Sequence, residues 1–309
     1  MKLFVLLFVA VFVLQAAPVT ALRFSPDGKH LLISRSRVIE VRALEADAKV
    51  RKIPCAFDKV MALAFSADGK TFAVAGGTPG DVGGVHLHDW PSGEVRGKWD
   101  VFEDVATCVA FGPFINFTAG SADHSLVLVD QRREGRVAKR FEGHTKAVRG
   151  LAYAPGGKML VSVSADRTVK SWKVGTGKLE RTFGNHLGSV NAVAFRPGVA
   201  PAFCATASDD KTVRLWQPSI GRMVRIVRGH GSQIFALVFS KDGKQIISIG
   251  REGIGRIIDA DSDKVLHEWK AHDDWTYALA IGPQGRLATG DWSGEVKLWV
   301  VKDVKVTRQ

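Results

Sequence analysis

The sequence predicts an all-β fold made from a repeated four-stranded unit, and three features carry that prediction. A short turn recurs as SPDGK (25–29), SADGK (66–70), APGGK (154–158) and SKDGK (240–244), with GPQGR (282–286) as a close variant. The apolar runs on either side of each turn have the length and alternation of strands. No segment sustains the periodicity of an amphipathic helix.

Each element of the unit has its own signal. The first strand reads ValThrAlaLeuArgPhe, ValMetAlaLeuAlaPhe, ValArgGlyLeuAlaTyr or IlePheAlaLeuValPhe. The turn follows. Asp-Gly between two apolar runs is a strong hairpin signal, because glycine takes a positive φ freely and the Asp side chain bonds back to the turn. The second strand is LeuLeuIleSer, ThrPheAlaVal, MetLeuValSer or GlnIleIleSer. The third is clearest at 168–172, 212–216 and 295–299, where each copy ends in Trp. A fourth, more polar strand leads into Gly143-His144, Asn185-His186, Gly229-His230 or Ala271-His272.

Composition agrees and excludes other classes. With 46% apolar residues and 11 Pro in 309, the chain is too apolar for disorder, and three cysteines are too few for a disulfide scaffold. Cys55, Cys108 and Cys204 each sit in an apolar run and read as buried free thiols. The net charge is +12. That balance bears on association with anionic partners rather than on fold.

These motifs resemble the WD-repeat β-propeller family from about residue 18 to the end, and the bacterial-type exported members in particular. The last aromatic or apolar residue of the third strand falls at Val41, His88, Val129, Trp172, Trp216, Ile258 and Trp299, intervals of 41 to 47 residues. The resemblance implies a seven-bladed β-propeller with four antiparallel strands per blade, in one domain over residues 17–309. A closed ring also removes long exposed sheet edges. It further implies a buried chain of His, Ser/Thr, Asp and Trp in each blade. Blade 4 has His144, Ser162, Asp166 and Trp172; blade 5 has His186, Thr206, Asp210 and Trp216. Blade 6 departs, with His230, Ser248, Glu252 and Ile258. Blade 7 has His272, Thr289 and Trp299, with Ser293 in place of the Asp. Blades 1 to 3 lack the His and the Trp, and blade 3 keeps Asp123. Blades 4 and 5 are therefore expected to be the most rigid, and blades 1 and 2 the least.

Residues 1–16 stand apart. Met1-Lys2 precedes an unbroken apolar run, Leu3 to Leu14, and then small residues. The run is too short to span a bilayer, which takes ~20 residues, and has the form of a secretory signal peptide. Cleavage is placed after Ala16, or as late as Ala21. The chain is thus expected to be exported, periplasmic or secreted; retention of the segment would make it a membrane anchor. A rival reading makes the run a buried strand near Val9–Leu14 that closes blade 7. The other candidate for that strand is Val304–Arg308.

The residue chemistry points to binding rather than catalysis. His144, His186, His230 and His272 hold the repeat's structural position, and no nucleophile elbow, phosphate loop or HExxH motif occurs. His86 and His88 share a strand face, without an evident third metal ligand. Residues 76–84 read as a lengthened Gly-rich loop. We expect no catalysis, no cofactor and no metal. The candidate site is the top face, with Trp275 and Trp292 in blade 7, flanked by Asp273, Asp274 and Asp291 and approached by Arg251 from blade 6. Trp90 also lies outside the strand slots. The expected partner is a protein or peptide bound by a monomer. Nucleic acid is not expected, since no aromatics interleave the basic residues. A propeller enzyme, or a small-molecule or glycan binder using the central channel, is the second reading. Weak association with an anionic envelope surface is the third. It would use Lys29, Lys70, Lys158, Lys244 and Arg286 on the opposite face, with Arg132, Arg133, Lys178, Arg222 and Lys264 nearby.

Overall fold

The repeat closes on itself. The computed structural model of the chain describes residues 17–45, 49–112, 116–131, 136–302 and 304–309. The proposed leader at 1–16, with the rival strand at Val9–Leu14, and the basic pair Arg132 and Arg133 lie outside them. Within the described residues, twenty-eight strands form seven four-stranded antiparallel sheets, each in simple sequential order. The first strands neighbour one another round the ring, and that of blade 7 (Thr276–Ile281) returns to that of blade 1 (Leu22–Phe24). This is the seven-bladed β-propeller expected from the repeat.

The register read from the sequence is the register of the sheets. Val41, His88, Val129, Trp172, Trp216, Ile258 and Trp299 lie opposite Leu32, Phe72, Phe117, Leu160, Cys204, Ile246 and Leu287. All seven partners are completely buried. The core is not central. It is divided into seven apolar clusters, one at each blade junction, as when Leu32 and Ile39 of blade 1 pack on Leu63 and Phe72 of blade 2. Sheets packed face to face bury both faces of every blade, so the second and third strands are apolar almost throughout. Cys55, Cys108 and Cys204 are buried free thiols, and burial pushes the Cys108 thiol up to about 12.

Blade 7 takes its fourth strand from the C-terminal end, where Lys305–Arg308 pairs antiparallel with Val296–Lys302. The ring is then clasped by the chain's early residues. The Val19 N–H donates to the Asp291 carbonyl at 3.0 Å, and the Arg35 guanidinium donates to the carbonyls of Ala17 (3.0 Å) and Gly294 (2.9 Å).

Blade 2 corrects one expectation. Residues 76–84 are not a long loop: the second and third strands continue as Thr71–Thr78 and Val82–Asp89, with Gly76 opposite Gly84 and Gly77 opposite Gly83. The glycines serve close packing. A Cβ on Gly76 would lie 2.2 Å from the Lys59 carbonyl oxygen, and one on Gly83 would lie 1.9 Å from that of Asp104.

Candidate functional site at the channel mouth

Four histidines belong to the frame, not to a reactive centre. In blade 4, the Trp172 indole N–H donates to Ser162 Oγ at 2.8 Å, and His144 Nε2 lies 2.8 Å from the same oxygen. With the indole donating, the hydroxyl hydrogen faces Nε2, and Nδ1–H faces Asp166 at 2.8 Å. Blade 5 repeats the chain through Trp216, Thr206, His186 and Asp210. Burial pushes the Asp166 and Asp210 carboxyls up. Hydrogen bonds from the facing histidines and from Thr168 and Thr212 outweigh it and hold both well below the usual carboxylate range.

The incomplete blades show what each missing part does. In blade 6, His230 Nε2 meets Ser248 Oγ at 2.9 Å, but Glu252 reaches Arg256 instead, and His230 Nδ1 has no hydrogen-bond partner. Burial, with Arg256 nearby, pushes His230 down to about 3. In blade 7, Thr289 links His272 (2.7 Å) and Trp299 (2.8 Å). The acid is not absent there. Asp291, two residues ahead of Ser293, brings its carboxylate within 3.0 Å of His272 Nδ1. In blade 3, Asp123 has no His to face and caps the Glu103 and Ser125 N–H groups at 2.9 Å.

This corrects the assignment of Asp291 to the top-face surface. It is 2% exposed, and its second oxygen accepts from Ser293 Oγ and Glu295 N. Asp291 occupies the strand position of Ser164 in blade 4, each lying opposite the residue before the bulge, and its longer side chain spans the gap to the histidine. His272, Asp291 and Glu295 do come within ligand distance of one another. Lys297 Nζ already sits 3.0 Å from Glu295, however, and Asp291 stands beside His272 Nδ1 where blades 4 and 5 place their His–Asp bond, although without hydrogen-bond geometry, so the group reads as framework. His86 and His88 are likewise structural. His88 stacks on Phe72 (5.0 Å, 15°) in the slot that Trp fills elsewhere, and His86 reaches Asp100 at 3.3 Å.

The face where second-to-third and fourth-to-first loops meet carries a site that the sequence reading missed. In six blades the first strand has a β-bulge at one equivalent place, and the extra residue is Met61, Thr107, Arg149, Asn191, Phe235 or Tyr277. Thr20 holds the corresponding position in blade 1. A bulged residue leaves the ladder and its side chain is re-aimed. All seven line one depression of about 550 Å³ at the mouth of the central channel. A second lobe of about 500 Å³ shares Thr20, Met61, Thr107 and Arg149 and runs over blades 1 to 3. Sequence held a signal for this ring: the second residue of the first-strand run is Thr, Met, Thr, Arg, Asn, Phe and Tyr in turn, while its neighbours stay small or apolar.

The ring is chemically divided. Thr20, Thr107 and Asn191, in blades 1, 3 and 5, donate to the carbonyls of Val60, Val148 and Ile234 on the next blade, Asn191 at 2.9 Å. These three stitch neighbours together. Met61, Arg149, Phe235 and Tyr277 make no such bond. Phe235 and Tyr277 stack, and Trp275 and Trp292 join them at centroid distances of 6.3 and 5.7 Å from Tyr277. The Arg251 guanidinium lies 4.6 Å over the Trp275 ring. The two Trp loops are tied, since the Trp292 N–H donates to the Trp275 carbonyl at 2.8 Å.

Among the residues expected at the site, Trp275 and Arg251 line the larger lobe and Trp292 the smaller. Asp274 caps the Trp275 N–H at 2.7 Å, and the fully exposed Asp273 lies near Lys270, so neither lines the depression. Trp90 packs edge-on against His30 and Phe65 between blades 1 and 2. On the opposite face, the turn aspartates Asp27, Asp68 and Asp242 fold back on the N–H groups of Lys29, Lys70 and Lys244. A carboxylate therefore sits in the same turn as each of these three lysines.

Comparison with known proteins gives a consistent picture. The WD40 family, described as WD domain, G-beta repeat, matches residues 135–173, 177–217, 221–259 and 263–300, which together make up half of the chain. The nuclear distribution protein PAC1 of Coccidioides posadasii is 31% identical over 185 residues, 50% of this chain and 38% of that protein. Protein ROOT INITIATION DEFECTIVE 3 of Arabidopsis thaliana is 29% identical over 232 residues, 70% of this chain and 51% of that one. An uncharacterised WD repeat-containing protein of Synechocystis is 34% identical over 143 residues, 45% of this chain and 38% of that protein. The chain thus spans 38% to 51% of the length of these relatives.

Proposed function

The chain belongs to the WD40-repeat family, and on that premise we propose that it is a non-catalytic scaffold that holds a segment of a partner protein at the channel mouth. The observation that carries this reading is the aromatic wall of Phe235, Trp275, Tyr277 and Trp292. It presents two large apolar side chains, 41% and 48% exposed, beside a depression large enough for several residues of a peptide. Partly exposed aromatics with Arg beside them have the composition of a binding hot spot. His144, His186, His230 and His272 are sealed in the frame.

Replacing Trp275 and Trp292 together by Ala tests the reading. A partner recovered by pull-down on the wild-type protein should no longer be retained, with the melting temperature nearly unchanged because both rings lie at the surface. Undiminished retention would overturn it.

The same reading places the protein outside the cytoplasm, on the strength of the apolar run at residues 3–14. Cleavage after Ala16 would leave the Ala17 carbonyl and Val19 N–H to clasp blade 7, whereas cleavage after Ala21 would remove both. Intact mass of the protein recovered from cells tests this. A chain starting at Ala17 supports it, and a chain retaining Met1 counts against it.

A further inference from the structure

The ring of bulged residues has one charged member. Thr20, Met61, Thr107, Asn191, Phe235 and Tyr277 are neutral; Arg149 is a cation, exposed, and it lines both lobes of the mouth. With Thr20, Met61 and Thr107 it is one of four residues that the two lobes share.

The other charges around the mouth are unevenly committed. Asp58 is paired with Arg37 at 2.6 Å. Asp104 accepts the N–H groups of Gly80 and Val105, and Asp209 accepts from Asn191. Arg35 is held by two carbonyls and by Glu40 at 3.5 Å. Among the described residues that line the mouth, Lys59, Arg149 and Arg251 have no carboxylate partner. Arg251 is spread on Trp275, so Lys59 and Arg149 are left with charge to satisfy. The acids are mostly bonded within the protein while these cations are not, so the mouth is complementary to a negative ligand.

Resting on the scaffold reading above, we propose that the mouth selects an acidic peptide segment. A side-chain carboxylate of the partner pairs with Arg149, and an adjacent aromatic or leucine side chain lies on the wall formed by Phe235, Trp275 and Tyr277. The arrangement favours an internal stretch over a chain terminus, because the two lobes continue into each other past Arg149. Guanidinium and carboxylate meet in paired hydrogen bonds, so the contact fixes register as well as charge.

The test uses the whole protein, the blocked peptides acetyl-Glu-Phe-Glu-Phe-Glu-amide and acetyl-Lys-Phe-Lys-Phe-Lys-amide, and as the signal the intrinsic tryptophan fluorescence, to which the exposed Trp275 and Trp292 contribute among eight tryptophans. The acidic peptide should give a saturable change and the basic peptide none at the same concentrations. Arg149→Glu should weaken the acidic peptide at least tenfold and leave the melting temperature unaltered, since the side chain is exposed and unbonded. Arg149→Lys should keep part of the affinity. Raising salt from 50 to 500 mM should weaken binding severalfold. Equal binding of both peptides, or acidic binding that survives Arg149→Glu, overturns the proposal while leaving the aromatic site standing. Stronger binding of the basic peptide also overturns it. Binding of neither peptide, when a pulled-down partner still depends on Trp275 and Trp292, rejects the acidic preference alone. Loss of that dependence rejects the scaffold reading as well.

Discussion

Phe235 and Tyr277 lie face to face across the junction of blades 6 and 7, their centroids 4.6 Å apart and their planes 8° from parallel. Both are bulged residues of first strands, so the stack is set by backbone geometry and is not a chance meeting of side chains. It gives the channel mouth an aromatic wall.

Tyr277→Ala removes that stack. Aromatic pairs contribute ~0.5–1.5 kcal/mol beyond the area they bury. The expected outcome is a stability loss of about 1–2 kcal/mol in chemical denaturation, with partner affinity down at least tenfold. Tyr277→Phe should restore both. A Phe variant as weak as the Ala variant would show that the wall does not act as an apolar surface.

Ser162 and Ser248 hold the same position in blades 4 and 6 but do unequal work. Ser162 Oγ serves both His144 and Trp172, whereas Ser248 Oγ serves His230 alone. A buried group left unsatisfied costs about 1–3 kcal/mol. Ser162→Ala should therefore cost about 2–4 kcal/mol and Ser248→Ala about 1–2, by the same kind of estimate. Equal losses would contradict the shared-hydroxyl account.

Acid should unfold the protein in two stages. Burial lowers His86, His88, His186, His230 and His272 from the ordinary 6.5. The unfolded chain then takes up protons before the folded one. Stability from the neutral histidines is complete above about pH 6.5 and is lost as pH falls below it. Each proton costs up to about 1.4 kcal/mol per pH unit. Asp166 and Asp210 are also lowered, so their contribution holds above the ordinary carboxylate range and disappears at still lower pH. Urea unfolding at pH 7.5, 5.5 and 4.5 should show a falling midpoint, with a shallower slope in His230→Gln. A midpoint flat from 7.5 to 4.5 would refute the assignment.

Amide exchange should be slowest in the second and third strands of blades 4 and 5, where an Asp hydrogen-bonds the histidine of the His–Ser/Thr–Trp chain, and fastest in blades 1 and 2. The reverse order would mean that apolar packing alone sets local stability here.

The fold was legible because the repeat fixes register. A one-residue slip would turn each anchor, from Val41 to Trp299, away from its buried partner. The framework was legible where its residues kept their places, as at His144 and His186. It misled at Asp291, where the acid moved two positions along the chain but still reached its histidine. The Gly76–Gly84 segment misled for another reason. Glycines usually mark loops, and only the approach of the Lys59 and Asp104 carbonyls shows why they sit in strands. Trp275, Trp292 and Arg251 were found because exposed aromatics beside charge stand out. Arg149, Phe235 and Tyr277 were missed because the bulge marks the sequence only through one varied residue, the second of each first-strand run.

Arithmetic gives the alternating stitches a last consequence. Donor bulges at blades 1, 3 and 5 each bind the following blade, a scheme that would run unbroken round an even ring. Seven is odd, so somewhere two junctions without a stitch must stand side by side. They flank blade 7, and the aromatic wall occupies that place. The parity of the ring thus leaves both junctions of blade 7 to be held by other means, the aromatic stack on one side and the Val19 and Arg35 clasp on the other.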